Sequence, residues 1–388
     1  MGAILNIRKQ LAGYRLGEGL TRSLNELLSA NITRIHSRTR ISAKAVSIKT
    51  QERRCSSICA SFVELREDGF AVTSAQAIKQ KHIRHLVSRW IAEGQSAGTI
   101  ENKLTHMRTL CEWMRKDGVV LALDQYVDKD AHGLRRAYVA RVDKSWDGNG
   151  VSAKDVISRI SQVHPHVGVQ LKLQAAFGLR VEESFMFKVH RAIKDLETLR
   201  ITDGTKGGRP RDVPILLRLS VLEEAAQLAN AFTGTTMPPD KTLAQWRNHY
   251  NDVMKKFGVT KRGIGVTSHG LRHQFLQEYY KQLSGEDAPI KGGDRPDEET
   301  YRSTLQQVVE AAGHSRASKS GAYLSTHAAM AAQQRIRVSP AAAQSVLDEE
   351  GGNVSRAAKK LGISRQALYR ALAKATTSGQ IIGGASSN

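Results

Sequence analysis

The chain has 388 residues, which points to roughly two to four domains rather than a single core. Lysine and arginine number 58 against 37 aspartate and glutamate, a formal net charge of +21 that puts nucleic acid ahead of an anionic membrane as the expected partner. No run of about 18 apolar residues and no charged-then-apolar leader is present, so a membrane span and secretion are not expected, and three cysteines without a disulfide pattern fit a reducing cytoplasm.

Residues 1–65 hold many more basic than acidic side chains, among them Arg8, Lys9, Arg15, Arg22, Arg34 and Arg38. Leu20, Leu24, Leu27 and Leu28 suggest one amphipathic helix. The rest of this stretch reads as a basic N-terminal arm, either tracking a DNA backbone or simply solvated. Cys55 and Cys59 lie one helical turn apart, but no second ligand pair accompanies them, so they read as ordinary thiols rather than zinc ligands.

A helical domain is expected over 66–150. Ile83, Leu86, Val87, Trp90 and Ile91 form one stripe, and Gly94 to Gly98 break it. Thr99 is the expected cap of a second helix with the stripe Ile100, Leu104, Met107, Leu110 and Trp113, ended by Gly118. Arg84, Arg89, Lys103 and Arg108 interleave with these stripes and are candidate DNA-backbone contacts. Leu134 to Val142 is read as a continuation of the bundle, closed by Gly148-Asn149-Gly150.

A second domain is expected over 151–337. A buried helix over Val167 to Phe177 ends at Gly178-Leu179-Arg180, and Glu182 and Glu183 follow. Leu199 to Thr202 and Arg211 to Ile215 read as two strands of a hairpin with Lys206 at its tip. Further helices are expected from Ser220 to Ala231, Leu243 to Phe257, Leu271 to Leu283 and Tyr301 to Ala312, with Ser284 to Thr300 a surface loop. Residues 338–376 have helix-turn-helix spacing: Asn353 caps one helix, Gly362 turns the chain and Ser364 caps the next. Leu368 and Leu372 then pack inward while Arg365, Gln366, Tyr369 and Arg370 face a major groove, supported by Arg356. Residues 377–388 read as a flexible tail.

Breaking a DNA strand without metal or water requires cations on the non-bridging oxygens, an in-line nucleophile and an acid for the leaving 5′ oxygen. Arg180 and Arg272 suit the first task, Tyr323 the second and Lys206 the third. Two of these assignments have competitors. Lys188 and Lys194 lie upstream of Lys206, and His273 competes with His269.

The segments Phe177-Gly178-Leu179-Arg180-Val181-Glu182-Glu183, the hairpin around Lys206, His269-Gly270-Leu271-Arg272-His273, Gly313-His314 and Tyr323 together resemble the catalytic domain of the tyrosine recombinases, the integrases of phages and mobile elements. The resemblance spans roughly residues 70 to 330. It implies a mainly α fold: a helical SAM-like core-binding domain, an α+β catalytic domain with a small β-hairpin, and, beyond the usual family unit, a Fis-type helix-turn-helix. It further implies that Arg180, Lys206, His269, Arg272 and His314 activate the phosphodiester, that Glu183 supports the first arginine, and that Tyr323 attacks to form a 3′-phosphotyrosyl intermediate.

The implied partner is double-stranded DNA with specific recombination sites, bound by a homotetramer, with accessory directionality or bending proteins. No metal, nucleotide or other cofactor is implied, and the expected location is the cytoplasm, at the nucleoid. The stretch from Arg272 to His314 is longer than is usual in the family, the excess being the loop from Ser284 to Thr300. Two rival readings stand beside this one: a transcriptional regulator with an inactive recombinase-like domain, and a type IB topoisomerase.

Overall fold

The computed structural model describes residues 4–35, 45–195, 197–205, 208–216, 218–334 and 340–361, with positions 365, 368, 369, 371 and 372. Two compact units divide the chain, Met1–Ala137 and Tyr138–Asn388.

The first unit is a helical bundle of α1 (Ile7–Leu11), α2 (Glu18–Asn31), α3 (Ile48–Glu67), α4 (Gln80–Ala92) and α5 (Ala97–Trp113). The described residues of the 1–65 stretch are therefore not an arm. Leu20, Leu24 and Leu28 of α2 and Cys55, Ile58, Cys59, Phe62 and Leu65 of α3 are buried in the same core as Ile83, Leu86, Trp90, Leu104 and Leu110. Charge dominates the composition of this stretch, but one apolar face per helix is enough to bury it. The cap of α5 is Ser96, whose hydroxyl accepts from the Thr99 N–H at 3.3 Å, so the predicted cap Thr99 sits inside the first turn. That helix also stops at Trp113, short of Gly118.

The second unit begins earlier than the expected 151. Residues 138–146 contain no helix and run as a non-regular strap against the later elements. There follow α6 (Ala153–Val163), α7 (Pro165–Phe177), α8 (Val181–Phe185), α9 (Val189–Ala192), β1 (Thr198–Ile201), β2 (Arg211–Pro214), α10 (Leu219–Gln227), α11 (Leu243–Lys256), α12 (His269–Ser284), α13 (Glu298–Ala311), α14 (Gly321–Leu324) and α15 (His327–Gln334). Helix α7 is the buried axle: Val169, Leu171, Leu173 and Phe177 are fully covered, and α6, α8, α10 and α12 pack around it. β1 and β2 pair antiparallel, with Leu199 opposite Val213 and Ile201 opposite Arg211.

The stretch from Ser284 to Thr300 is anchored rather than loose. Ala288 and Pro289 are buried, Lys291 pairs with Asp147, and the Asp297 carboxylate caps α13 by accepting from the Thr300 N–H at 3.0 Å. At the C-terminal end, α16 (Pro340–Glu349) and α17 (Val354–Lys360) share a small core of Ala343, Ala357, Ala358 and Leu368, with Asn353 capping α17. No helix among the described residues is long and apolar enough to cross a membrane.

Candidate active site

The site is built on the end of one helix. α13 finishes at Ala311, and Gly313 follows with φ +65, a left-handed turn that glycine enters without steric cost. The turn leaves the Ala311 and Ala312 carbonyls without helical partners, at the negative end of the helix dipole. Three guanidinium groups meet them. Arg211 Nε donates to Ala311 O at 2.8 Å, Arg180 Nη2 to Ala312 O at 2.9 Å and Arg272 Nη2 to Ala312 O at 2.5 Å.

Glu183 holds two of these arginines. It stands at the third position of α8, and its carboxylate reaches back to accept from the Arg180 backbone N–H at 2.6 Å, half of a capping box. It also accepts from Arg180 Nη1 at 2.6 Å and, in a two-pronged pair, from Arg211 Nη1 at 2.5 Å and Nη2 at 2.7 Å. Complete burial alone would raise the Glu183 pKa, but the Arg211 hydrogen bond and the charges of Arg211, Arg180 and Arg272 outweigh it and bring it down to about 2. Arg211 was missed in the sequence, where it is only the first residue of a strand. Nothing short of the fold reveals that it faces Glu183.

Arg272 is fully buried, and Nη1 donates to the Gly178 carbonyl, the C-cap of α7. Burial, together with its neighbouring arginines, lowers its pKa to about 10, still cationic at neutral pH. Its Nε has no acceptor among the described residues, an orphan donor of the kind a phosphate oxygen satisfies. The guanidinium lies 5.5 Å from the centre of the Tyr323 ring, and the Tyr323 hydroxyl is 3.3 Å from His314 Nε2. Arg180, Glu183, Arg272, His314 and Tyr323 therefore converge.

His269 opens α12 in the same cluster. Protein crowding and then Arg272, Arg180 and Lys144 hold its pKa below the ordinary 6.5, although the imidazole remains solvent-exposed. His273, one turn on, is buried 5.0 Å from the Tyr323 ring centre, and burial brings its pKa to about 3. The two histidines differ in environment: His269 is exposed, and His273 packs against the tyrosine ring. Between them, Gly270 lies so close to the strap that an added Cβ would meet the Lys144 carbonyl at 2.4 Å. Lys144 itself is exposed and adds charge on this side, a contribution the sequence reading did not anticipate.

Lys206, Gln366 and Arg370 lie outside the described residues. Of the expected backbone contacts in the bundle, Arg84 is exposed. The other three are engaged internally. Arg89 pairs with Glu67, Asp68 and Glu93, Lys103 pairs with Glu64 over the Trp90 ring, and Arg108 donates to the Val120 and Leu121 carbonyls. In the C-terminal element Arg356, Arg365 and Tyr369 are exposed.

Three family models match the chain: integrase over residues 145–278, the N-terminal region of phage integrase over 28–120, and the Fis family of bacterial regulatory proteins over 344–374. Among solved structures, a lambda integrase dimer bound to a core site shares 14% identity and a TM-score of 0.51 over 79% of this chain and 77% of that one. The Tn1549 transposon integrase with transposon right end DNA gives 14% identity and a TM-score of 0.48, over 81% and 99% of the two chains. No curated protein matches the sequence. A helical N-terminal unit followed by a helical unit with a two-stranded hairpin is the fold shared with the lambda integrase, in line with the integrase models that match both parts. The chain thus carries an integrase domain, the N-terminal region of a phage integrase ahead of it, and a Fis-type helix-turn-helix in addition.

Proposed function

We propose that this recombinase cuts and rejoins double-stranded DNA at the ends of a mobile genetic element, with Tyr323 as the nucleophile. The Tyr323 oxygen bonds to the scissile phosphorus, the bond from phosphorus to the 5′ oxygen breaks, and a 3′-phosphotyrosyl ester conserves the bond energy for rejoining. Arg180 and Arg272 stabilise the charge that builds on the non-bridging oxygens. His314 takes the tyrosine proton, neutral His269 donates to a phosphate oxygen, and Lys206 protonates the leaving 5′ oxygen. Glu183 and Arg211 are positioning residues that act through Arg180.

The observation that carries this reading is the contact of the Tyr323 hydroxyl with His314 at 3.3 Å beneath the buried Arg272 guanidinium. A tyrosine packed only as a core aromatic has no need of a guanidinium over its ring and a histidine on its hydroxyl. Pairwise strand exchange between two sites calls for four active sites, hence a homotetramer on DNA, assisted by bending or directionality proteins. The work is done at the nucleoid.

Nicked suicide duplexes tiled across the genomic DNA flanking the gene provide the test. A covalent protein–DNA adduct that disappears in Tyr323→Phe is expected. Tight binding without an adduct would instead mark a regulator, and relaxation of plasmids lacking any specific site would mark a topoisomerase.

A further inference from the structure

We infer that Gln277, Asp143 and Ser325 are positioning residues that hold the Tyr323 helix in place beside Arg272 and His314. The inference rests on Tyr323 being the nucleophile.

The tyrosine sits on α14, a helix of only four residues that makes a single turn and has little stability of its own. What fixes it is the strap over residues 138–146. The Ala140 N–H donates to the Gly321 carbonyl at 2.8 Å, and the Ser325 hydroxyl donates to the Ala140 carbonyl at 2.7 Å, so the strap grips both ends of the helix. Ser325 meets the strap in a backbone conformation, φ 64 and ψ −164, that is essentially reserved for glycine. A serine persists there only if something outside the local chain holds it, and its hydroxyl bond to the strap does so.

Gln277 completes the grip from the catalytic helix. His269, His273 and Gln277 recur every fourth residue and share one face of α12. The buried Gln277 amide donates to the Tyr323 carbonyl at 3.2 Å and to Asp143 Oδ1 on the strap at 2.9 Å. Both neighbours are acceptors, which fixes the amide with its nitrogen toward them. The Ser145 N–H also donates to Asp143 Oδ1, at 2.9 Å, so the carboxylate is itself oriented. One side chain thus ties together the helix bearing Arg272, the backbone of the nucleophile and the strap.

Adduct formation by the full-length chain on the suicide duplex, measured beside DNA affinity, reads this out. In an otherwise unaltered chain Gln277→Leu and Ser325→Gly should each slow adduct formation roughly 10- to 100-fold with DNA affinity unchanged, the scale expected of a misplaced reacting group.

Ser325→Gly relieves the backbone at that position, so a folding defect does not confound it. Single variants that cleave at the normal rate would overturn the inference. A wild-type chain that forms no adduct would instead overturn the nucleophile assignment itself.

Discussion

Glu183 is the residue on which the arginine cluster depends, since its single buried carboxylate carries four hydrogen bonds from Arg180 and Arg211. Replacing one partner of a buried charged network leaves the others uncompensated, so Glu183→Gln should cost about 3 to 5 kcal/mol in urea unfolding. Arg272→Lys should lower cleavage by roughly 100-fold or more while the circular dichroism spectrum is kept, because an ammonium supplies the charge without the fork that spans Gly178, Ala312 and a phosphate. The buried histidine gives a pH dependence. With a folded pKa near 3 against an ordinary 6.5, His273 takes up a proton in the unfolded chain first. Its contribution is therefore full above pH 6.5 and declines by about 1.4 kcal/mol per pH unit as pH falls below it. His106, brought by burial and nearby arginines to about 4, adds the same sign in the helical unit. Glu183 joins only below its ordinary 4.5. Urea midpoints between pH 7 and 5 should fall in the native chain and fall less in His273→Phe.

At the scale of elements, the N-terminal stretch makes the sharpest prediction. A basic arm is dispensable to folding, whereas α2 and α3 supply Leu24, Leu28, Ile58 and Phe62 to the bundle core. Deleting residues 1–65 should leave the first unit unfolded by circular dichroism and protease digestion, and Leu24→Ala alone should cost about 2 to 5 kcal/mol. The start of α12 makes another. Gly270→Ala drives a methyl group into the Lys144 carbonyl and the Trp146 ring, so it should lower both stability and cleavage although it removes no functional group. A helix-propensity argument gives the opposite sign, which makes this substitution a clean comparison.

Across the whole molecule, the net charge of +21 bears on affinity rather than on the fold. Binding to the recombination site should weaken with salt at about 0.9 log unit per neutralised phosphate per log unit of salt. The slope should hardly change in Arg89→Ala, whose guanidinium is already occupied by Glu67, Asp68 and Glu93. α16 and α17 bury their own small core, so a chain ending at residue 339 should still cleave a minimal site, measured with the suicide duplex.

The sequence by itself determined the helical class, the hairpin and the C-terminal helix-turn-helix, and its family resemblance nominated Arg180, Glu183, His269, Arg272, His314 and Tyr323 as candidates. The elements rest on local periodicity and capping, and the candidates on the order of motifs that resemble the family, all of which a linear chain displays. Only the tertiary structure decided that Arg211 shares Glu183 with Arg180, that Arg89, Lys103 and Arg108 turn inward to carboxylates and carbonyls, and that residues 138–146 grip the tyrosine helix. Each of those facts is a meeting of groups far apart in the chain. Charge and spacing report what a residue offers, while burial and the position of an acceptor report to whom it is offered, and those arise only when the helices pack.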